Sequence, residues 1–235
     1  MKKEIEPIAR IKTEFSDKFG IPRQSGLVPS LTGYIIFEEK FRTPDAVRGL
    51  EEYSHIWLIW EFSKNRRDKF EPLVTPPRLG GKEKKGVFAT RSSFRPNGLA
   101  LSSVRLEEII LDDPRAPILK VSGADLMDGT PIYDIKPYLP YTDSHPEAQG
   151  SFGEAHKNDR IEVIFPEELK MKLPEHLRES ALEVLQQDPR SAFQKAPDYV
   201  YGLSFGGYDI RFTAGENELK VCDIVKRDEN FAKVK

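Results

Sequence analysis

The chain has 235 residues and a formal net charge of −2, with 38% hydrophobic and 31% charged residues. This composition is globular, and the 14 Phe, 8 Tyr and 2 Trp exclude a disordered chain. A single cysteine excludes an internal disulfide framework and a cysteine-cluster zinc site. No apolar run is long enough to span a membrane, and the N-terminal segment lacks the apolar core of a signal peptide. We therefore expect a cytoplasmic protein without a membrane partner.

Short strands separated by Pro- and Gly-rich turns dominate the first part of the chain. The patterns predict strands at residues 33–38, 53–62, 86–90, 101–111 and 118–121. The almost unbroken apolar run YSHIWLIWEF predicts a strand that is buried on both faces. Because strand–helix alternation and a GxGxxG turn are both missing from the sequence, the pattern favours a β-barrel or sandwich over a Rossmann fold.

The last part of the chain has a different pattern. Apolar residues at helical spacing over 177–185 predict a helix, which should end before the Asp-Pro pair that follows. Alternating side chains predict one strand at 161–165 and two further strands at 207–213 and 218–224. These elements indicate a small α+β unit.

Together these patterns predict a mainly β protein with two domains. We predict a β-barrel or β-sandwich N-terminal domain over residues 1–145 and a small α+β C-terminal domain over residues 159–235. Residues 146–158 are polar with few large apolar side chains, and we interpret them as a linker.

Basic residues are concentrated in one window of the sequence. Residues 64–95 contain ten basic and three acidic side chains, so this window carries +7 and the rest of the chain −9. A compact basic patch on an otherwise acidic protein is suited to contact a polyanion. A solvated basic loop would have the same composition, so charge alone leaves both interpretations open.

Common catalytic and metal motifs are missing from the sequence. The segment GGKEKKGV at residues 80–87 lacks the Lys-Ser/Thr that a phosphate-binding P-loop needs after its last Gly. The four histidines show no HxxxH or HxH spacing, so we expect no metal. There is also no GxSxG motif, which argues against a serine hydrolase.

Three loops combine Gly or Pro with polar groups that are able to bind a ligand. They cover residues 21–28, 76–102 and 122–141. Loops with fixed backbones at the end of a rigid sheet are a common location of binding sites. From the residues alone, the prediction is a β-rich domain with a cluster of polar loops.

These loops resemble the TrmO family of tRNA methyltransferases, also called the TsaA-like or YaeB-like family. The similar motifs are PRQSGLV, DAVRGLEEYSHIWLIWEF, PPRLGGKEKKGVFATRSSFRPN and DGTPIYDIKPYLPY, and the resemblance covers nearly the whole chain. One motif departs from the family: RPNPIGLS is RPNGLALS here, with Gly98 in place of Pro and Ala100 in place of Gly. Since Pro and Gly restrict the backbone differently, this departure bears on the loop path and on cofactor affinity.

The resemblance implies a β-barrel enzyme that uses S-adenosylmethionine. It implies methylation of N6 of threonylcarbamoyladenosine beside the anticodon of tRNA, and a homodimer with the active site near the subunit interface. By motif position, the cofactor-binding residues implied by the family are Gln24, Ser25, Gly26, Ser63, Lys64, Arg91, Leu101, Ser122, Gly123, Ala124 and Asp125. Chemically, Arg91 is suited to a carboxylate, and Asp125 to a hydroxyl or ammonium group.

The acceptor nitrogen carries a carbonyl group, so its lone pair is poor and its proton must leave during transfer. Within the resemblance, we predict Asp134, or Asp128 in its place, as the base. Lys136 is predicted to stabilise the deprotonated acceptor or to bind the carboxylate of the modification. The aromatic rings of Tyr138 and Tyr141 are candidates for stacking on the target base.

A tRNA partner would also explain the basic window. Phosphate contacts give affinity without base choice, and lysines between two ligand-facing motifs are suited to that task. Including the two tyrosines, the predicted RNA-binding residues are Lys82, Lys84, Lys85, Arg95, Tyr138, Tyr141 and Arg190.

Two other functions fit the same sequence. One is an RNA-binding barrel that has lost catalysis through the changes at Gly98 and Ala100. The other is a methyltransferase that acts on a different small or RNA-borne amine. The first predicts tRNA binding without cofactor binding, and the second predicts cofactor binding without the tRNA modification.

Overall fold

The computed structural model describes residues 4–64, 69–76, 83–155, 159–190 and 199–227. These residues form a closed β-barrel, a separate four-stranded sheet with helices, and a two-stranded ribbon. This architecture confirms the predicted mainly β class with a barrel and a small C-terminal α+β unit. None of the described helices has the length and apolar character that crossing a bilayer requires.

Six antiparallel strands build the barrel. They are β1 (Ala9–Lys12), β2 (Thr32–Phe37), β3 (His55–Glu61), β6 (Leu99–Ile110), β7 (Ile118–Ser122) and β8 (Pro131–Pro137). Their order around the barrel is β1-β2-β7-β6-β3-β8, and β8 pairs with β1 to close it. Closure leaves no open sheet edge, so the backbone groups along the strands are paired.

Strand β3 corrects one expectation about burial. Ile56, Leu58 and Trp60 point into the barrel core and are 0–6% exposed, whereas Trp57 and Ile59 between them are only half-buried. The strand is therefore buried on one face and partly open on the other, as in other antiparallel barrels. The aromatic and branched residues on its outer face made the run look uniformly buried.

Two other strand predictions also change. A strand predicted at residues 86–90 is reduced to β5 (Lys85–Gly86), which pairs with β4 (Leu73–Val74) and is followed by the 3-10 turn Val87–Ala89. In addition, the third polar loop contains strand β8, which its Pro and Gly residues concealed. The loop at residues 122–130 is correspondingly shorter than predicted.

The C-terminal unit packs helices against a four-stranded sheet. The elements of this part of the chain, with two short helices that precede it, are α1 (Pro140–Asp143), α2 (Ser151–Ala155), β9 (Glu162–Ile164), α3 (Glu167–Lys170), α4 (Glu175–Gln186), β10 (Tyr201–Phe205), β11 (Tyr208–Ala214) and β12 (Glu218–Lys226). The strand order is β10-β11-β12-β9, in which only the β12–β9 pair is parallel among the described strands. The predicted helix ends before Asp188, as expected.

The connection between β1 and β2 contributes to the core of the C-terminal unit. Phe15, Val28 and Leu31 are 1–3% exposed and belong to the same apolar cluster as the buried face of α4. The Phe15 ring meets the Phe205 ring edge-on, with centroids 5.3 Å apart. The first polar loop therefore lies between two anchors in the C-terminal core.

Candidate functional site

A pocket of about 640 Å³ opens at one end of the barrel. Its walls come from the first polar loop, the ends of β3 and β6, the segment before β6, and the loop between β7 and β8. A volume of this size suits a small organic ligand. The residues that line it are Lys18, Ile21, Pro22, Arg23, Gln24, Ile59, Trp60, Glu61, Phe62, Ser63, Lys64, Thr90, Arg91, Ser93, Arg95, Leu99, Ala100, Leu101, Ser102, Asp125, Met127 and Thr130.

The first and third polar loops meet through two glycines. The N–H of Gly26 donates to the carbonyl of Gly123 at 2.8 Å, and both residues have positive φ, +77° and +73°. A Cβ at Gly123 would lie 3.2 Å from the Gly26 Cα. Only glycine combines this backbone angle with this close approach at low cost. The glycine pair therefore sets the distance between the first polar loop and the third, which carries Asp125.

Asp125 is a half-buried acid of the pocket. Its carboxylate accepts a hydrogen bond from the Ser102 hydroxyl at 2.6 Å and one from the backbone N–H of Ser25. The indole N–H of Trp60 donates to the same Ser102 hydroxyl at 2.9 Å. Burial raises the pKa of Asp125 above its usual value, while the Ser102 hydrogen bond and the nearby charge of Arg91 oppose that rise.

Arg91 connects this acid to the first loop. One of its guanidinium nitrogens, Nη1, donates to the side-chain oxygen of Gln24 at 2.6 Å. Arg91 is otherwise exposed, so its remaining donors face the pocket mouth and solvent. A planar cation in this position is suited to bind a ligand carboxylate through two parallel hydrogen bonds.

The loop before β6 is held by Arg95. Its Nη1 donates to the carbonyl of Thr90 at 2.7 Å and to that of Val87 at 3.3 Å, and the guanidinium lies over the Phe88 ring. These contacts fix the backbone on either side of Arg91. These contacts give Arg95 a role in holding the loop, and the RNA contact predicted for it stays a prediction.

Gly98 explains the departure from the family motif. It has φ of +64°, and its N–H donates to the Arg95 carbonyl at 3.2 Å. Its own carbonyl accepts from the Phe62 N–H at 2.9 Å. Proline has φ near −65° and no N–H, so it is unable to form this turn. The loop path here is therefore one that the family's proline would not allow.

Several of the residues that were predicted to bind the cofactor meet in this pocket. Those in its lining are Gln24, Ser63, Lys64, Arg91, Leu101 and Asp125. The others are outside the lining but adjoin it along the chain: Ser25, Gly26, Ser122, Gly123 and Ala124. Of these, Ala124 is buried in the barrel core, and the Ser122 hydroxyl donates to Glu107 at 2.5 Å.

The predicted catalytic residues lie outside the pocket lining, on the outer face of the barrel. Asp134 and Lys136 project from β8 and form an ion pair at 3.0 Å. In the sheet, Asp134 is the register partner of Ile59, which does line the pocket. They are therefore next to the pocket rather than in it. The alternative base, Asp128, accepts the backbone N–H of Thr13 at 3.0 Å.

The predicted stacking residues continue along the same outer face. The Tyr138 ring lies 5.5 Å from the Trp57 ring, and the Trp57 indole donates to Asp143 at 2.8 Å. Hydrogen bonds from the Leu139 N–H and from Trp57 lower the pKa of Asp143. Tyr141 is 86% exposed. An aromatic surface therefore runs from His55 to α1.

The remaining predicted RNA contacts have different environments. Lys84 is exposed, and Lys85 forms an ion pair with Glu83 at 2.5 Å. Lys82 lies outside the described residues. Arg190 is only 7% exposed: it donates to both carboxylate oxygens of Asp188 and to a backbone carbonyl. This geometry supports a structural role for Arg190 and gives no support to an RNA contact.

Sequence reasoning missed two groups that the pocket contains. Ser102 is the last residue of the motif RPNGLALS, and its place among the inward-facing positions of β6 was the available signal. Glu61 is 7% exposed and accepts the hydroxyl of Tyr133 at 2.5 Å. In the sequence, Glu61 is a single acid at the end of an apolar run, where an exposed residue that ends the strand is the usual interpretation. Nothing in the sequence therefore indicated that its side chain is buried.

Comparison with known proteins follows the same division of the chain. The profile of the tRNA-methyltransferase O N-terminal domain matches residues 10–144, and that of the TrmO C-terminal domain matches residues 158–227. A tRNA (adenine(37)-N6)-methyltransferase from Escherichia coli is 40% identical over 232 residues, which cover 95% of this chain and 98% of that protein.

Two similarities involve Pseudomonas aeruginosa. A putative S-adenosylmethionine-dependent methyltransferase, RcsF, is 38% identical over 237 residues, covering 97% of this chain and 100% of that protein. The crystal structure of TrmO from this organism has a TM-score of 0.76 and 32% identity, and the match covers 96% of this chain and 100% of that one. These matches confirm the family and the enzyme class that the loop motifs predicted. The chain belongs to the tRNA-methyltransferase O family.

Proposed function

We propose that this protein transfers a methyl group from S-adenosylmethionine to N6 of threonylcarbamoyladenosine, beside the anticodon of tRNA. The observation that carries the proposal is the pocket in which the half-buried carboxylate of Asp125 lies near the guanidinium of Arg91. The name of the Escherichia coli relative, which specifies N6 of adenine 37, supports the same reaction. The name of the Pseudomonas aeruginosa relative supports the cofactor.

The residues of the pocket fit the chemistry of the cofactor. S-adenosylmethionine supplies an activated methyl group on a positively charged sulfur, and it also carries an ammonium, a carboxylate and a ribose. Asp125 offers a half-buried carboxylate to a cation or hydroxyl, and Arg91 offers a cation to the carboxylate of the cofactor. The proposed binding residues are Gln24, Ser25, Gly26, Ser63, Lys64, Arg91, Leu101, Ser122, Gly123, Ala124 and Asp125.

The outer face beside the pocket is proposed to receive the target base. Asp134 is adjacent to Ile59 of the pocket wall, so its carboxylate is positioned to accept the N6 proton. Lys136, 3.0 Å from Asp134, is then close enough to stabilise the negative charge that forms on the acceptor. Much of the acceleration is assigned to alignment, which gains up to about 7–11 kcal/mol for well-oriented reactants.

We propose that tRNA contacts the basic segment before β6 and the aromatic surface. Lys84 is an exposed residue of this segment. On the outer face, Tyr141 is 86% exposed and Tyr138 is half-buried against Trp57. Replacing Lys84 and Lys85 with Ala should weaken tRNA binding and flatten its dependence on salt, because fewer counterions are released. Lys220→Ala, an exposed change on β12, is the matched control and should alter neither quantity.

We also propose a cytoplasmic homodimer. The side chains of Leu99, Leu101 and Phe88 are 37%, 50% and 71% exposed near the pocket mouth. Apolar side chains exposed together at the edge of a binding site are typical of protein–protein contacts. Analytical ultracentrifugation of the wild type and of Leu101→Glu tests this: the charged variant should dissociate.

Mass spectrometry of tRNA nucleosides tests the function directly. Unmodified threonylcarbamoyladenosine tRNA, incubated with the protein and S-adenosylmethionine, should gain one methyl group at N6, and Arg91→Ala should abolish most of that gain. A tRNA-binding protein that fails to bind the cofactor in calorimetry would indicate the non-catalytic barrel. Cofactor binding without methylation of tRNA would indicate a different amine substrate.

A further inference from the structure

Ser102 occupies an unusual position for a polar residue. It is 1% exposed, on an inward-facing position of β6 between the barrel core and the pocket. Its hydroxyl has two partners, the indole of Trp60 and the carboxylate of Asp125. A buried hydroxyl retained in an apolar wall is costly unless both its donor and its acceptor are used, and here both are.

The direction of this relay is fixed by chemistry. An indole N–H is a donor only, so Trp60 uses a lone pair of the Ser102 oxygen. The hydroxyl hydrogen of Ser102 is therefore left for Asp125, whose carboxylate oxygen accepts it at 2.6 Å. Trp60 and Ser102 both belong to barrel strands, so the relay ties a loop carboxylate to the hydrogen-bonded sheet of the barrel.

The relay also opposes the effect of burial on Asp125. Burial disfavours the charged form of this carboxyl, whereas the Ser102 hydroxyl, the backbone N–H of Asp125 itself, the Arg91 charge and the Ser25 backbone N–H favour it. Of these four groups, all but Ser102 lie on polar loops. Ser102 is the donor that a strand holds in place, so its loss should affect both the charge and the direction of the carboxylate.

We propose that Ser102, oriented by Trp60, is a positioning residue that aims the Asp125 carboxylate at the positive charge of the bound cofactor. The inference rests on the proposed function, because it assumes that S-adenosylmethionine binds in this pocket. It adds two barrel residues of the pocket lining, Trp60 and Ser102, to the set that determines cofactor affinity. A purely structural serine would hold the fold together without changing how binding depends on pH.

Calorimetry of S-adenosylmethionine binding across a range of pH tests the relay. Ser102→Ala should raise the dissociation constant at neutral pH by about tenfold to a hundredfold, the range for a hydrogen bond to a charged group. It should also move the acidic limb of the binding profile to higher pH, because Asp125 loses a donor that favours its charged form. Trp60→Phe removes the indole donor together with the volume of one ring, leaves the Ser102–Asp125 hydrogen bond in place, and should raise the dissociation constant by about threefold to tenfold.

A second buried serine provides the matched control. Ser180 is 3% exposed in α4, and its hydroxyl donates to a backbone carbonyl of the same helix. Ser180→Ala should change thermal stability alone and leave the dissociation constant and its pH profile at the wild-type values. If Ser102→Ala does not fold, Trp60→Phe carries the same test.

The outcomes separate this inference from the proposed function. If the wild type fails to bind S-adenosylmethionine, the proposed function fails. If the wild type binds it and a folded Ser102→Ala variant keeps the same dissociation constant and pH profile, the relay is refuted and the proposed function stands. The relay is likewise refuted if Trp60→Phe is the folded variant and its binding is indistinguishable from that of the wild type.

Discussion

The contact between Gly26 and Gly123 makes a sharp prediction about cofactor binding. Gly123 has φ of +73°, and a Cβ added there would lie 3.2 Å from the Cα and 3.3 Å from the N of Gly26. Both of those atoms are backbone, so neither is able to rotate away. Gly123→Ala should therefore push the first polar loop from the third by a few tenths of an ångström and lengthen the 2.8 Å hydrogen bond between them.

The expected magnitude has two parts. An L-residue in the left-handed region costs roughly 1–2 kcal/mol, which corresponds to a loss of about 2–8 °C in the unfolding temperature for a chain of this size. Gly49 has φ of +84° with open space around its Cβ position, so Gly49→Ala incurs the backbone cost without the contact. The difference between the two variants isolates the effect of loop separation.

The assays are thermal unfolding and calorimetry of S-adenosylmethionine binding for both variants. Both should lose thermal stability, but only Gly123→Ala should lose cofactor affinity, by about tenfold or more if a single hydrogen bond to a charged ligand group is broken. Equal cofactor affinity in the two variants would refute the argument that the glycine pair sets the shape of the pocket.

Three further changes give different signatures. Gly98→Pro should lower the free energy of unfolding by more than about 1 kcal/mol in a denaturant titration, because proline is unable to adopt φ of +64° or to donate the N–H. Arg190→Ala should lower it by roughly 1–3 kcal/mol and leave tRNA affinity in a filter-binding assay unchanged, since its buried side chain bonds Asp188. Asp125→Asn should abolish measurable cofactor binding yet raise the unfolding temperature at pH 7, because it removes a buried charge. The raised pKa of Asp125 means that the folded wild type binds protons more readily than the unfolded chain, so the wild type gains stability as pH falls through that pKa. The advantage of Asp125→Asn should therefore disappear in acid.

The strands that the sequence predicted correctly are those with a continuous pattern. Strand β3 has a long apolar run, and β12 alternates buried and exposed side chains along its length. Strand β8 lies in a segment flanked by Pro and Gly, and its outer residues are charged, so local composition indicated a loop. It is a strand because β3 and β1 pair with it on either side, which is a tertiary effect.

The residues of the candidate site likewise differ in how well the sequence could predict them. Residues on the polar loops, such as Gln24 and Arg91, could be predicted because family motifs carry their identity and spacing. The partners that orient them could not, since Ser102 meets Asp125 across a separation of 23 residues. Arg190 is the opposite case. Its motif suggested a contact with RNA, whereas in the structure its side chain donates to Asp188 of the same chain.

The C-terminal unit is best understood as part of the support for the pocket. Phe15, which precedes the first polar loop, and Val28, at the end of that loop, are buried in the core of the C-terminal unit. The Ser30 hydroxyl donates to Glu183 of α4 at 2.5 Å. On the barrel side, the same loop is joined to Gly123. A loop fixed at both ends and at its middle loses little conformational entropy when a ligand binds, which favours affinity. The helix and sheet at the end of the chain therefore stabilise a wall of the pocket that the barrel alone would leave free to move.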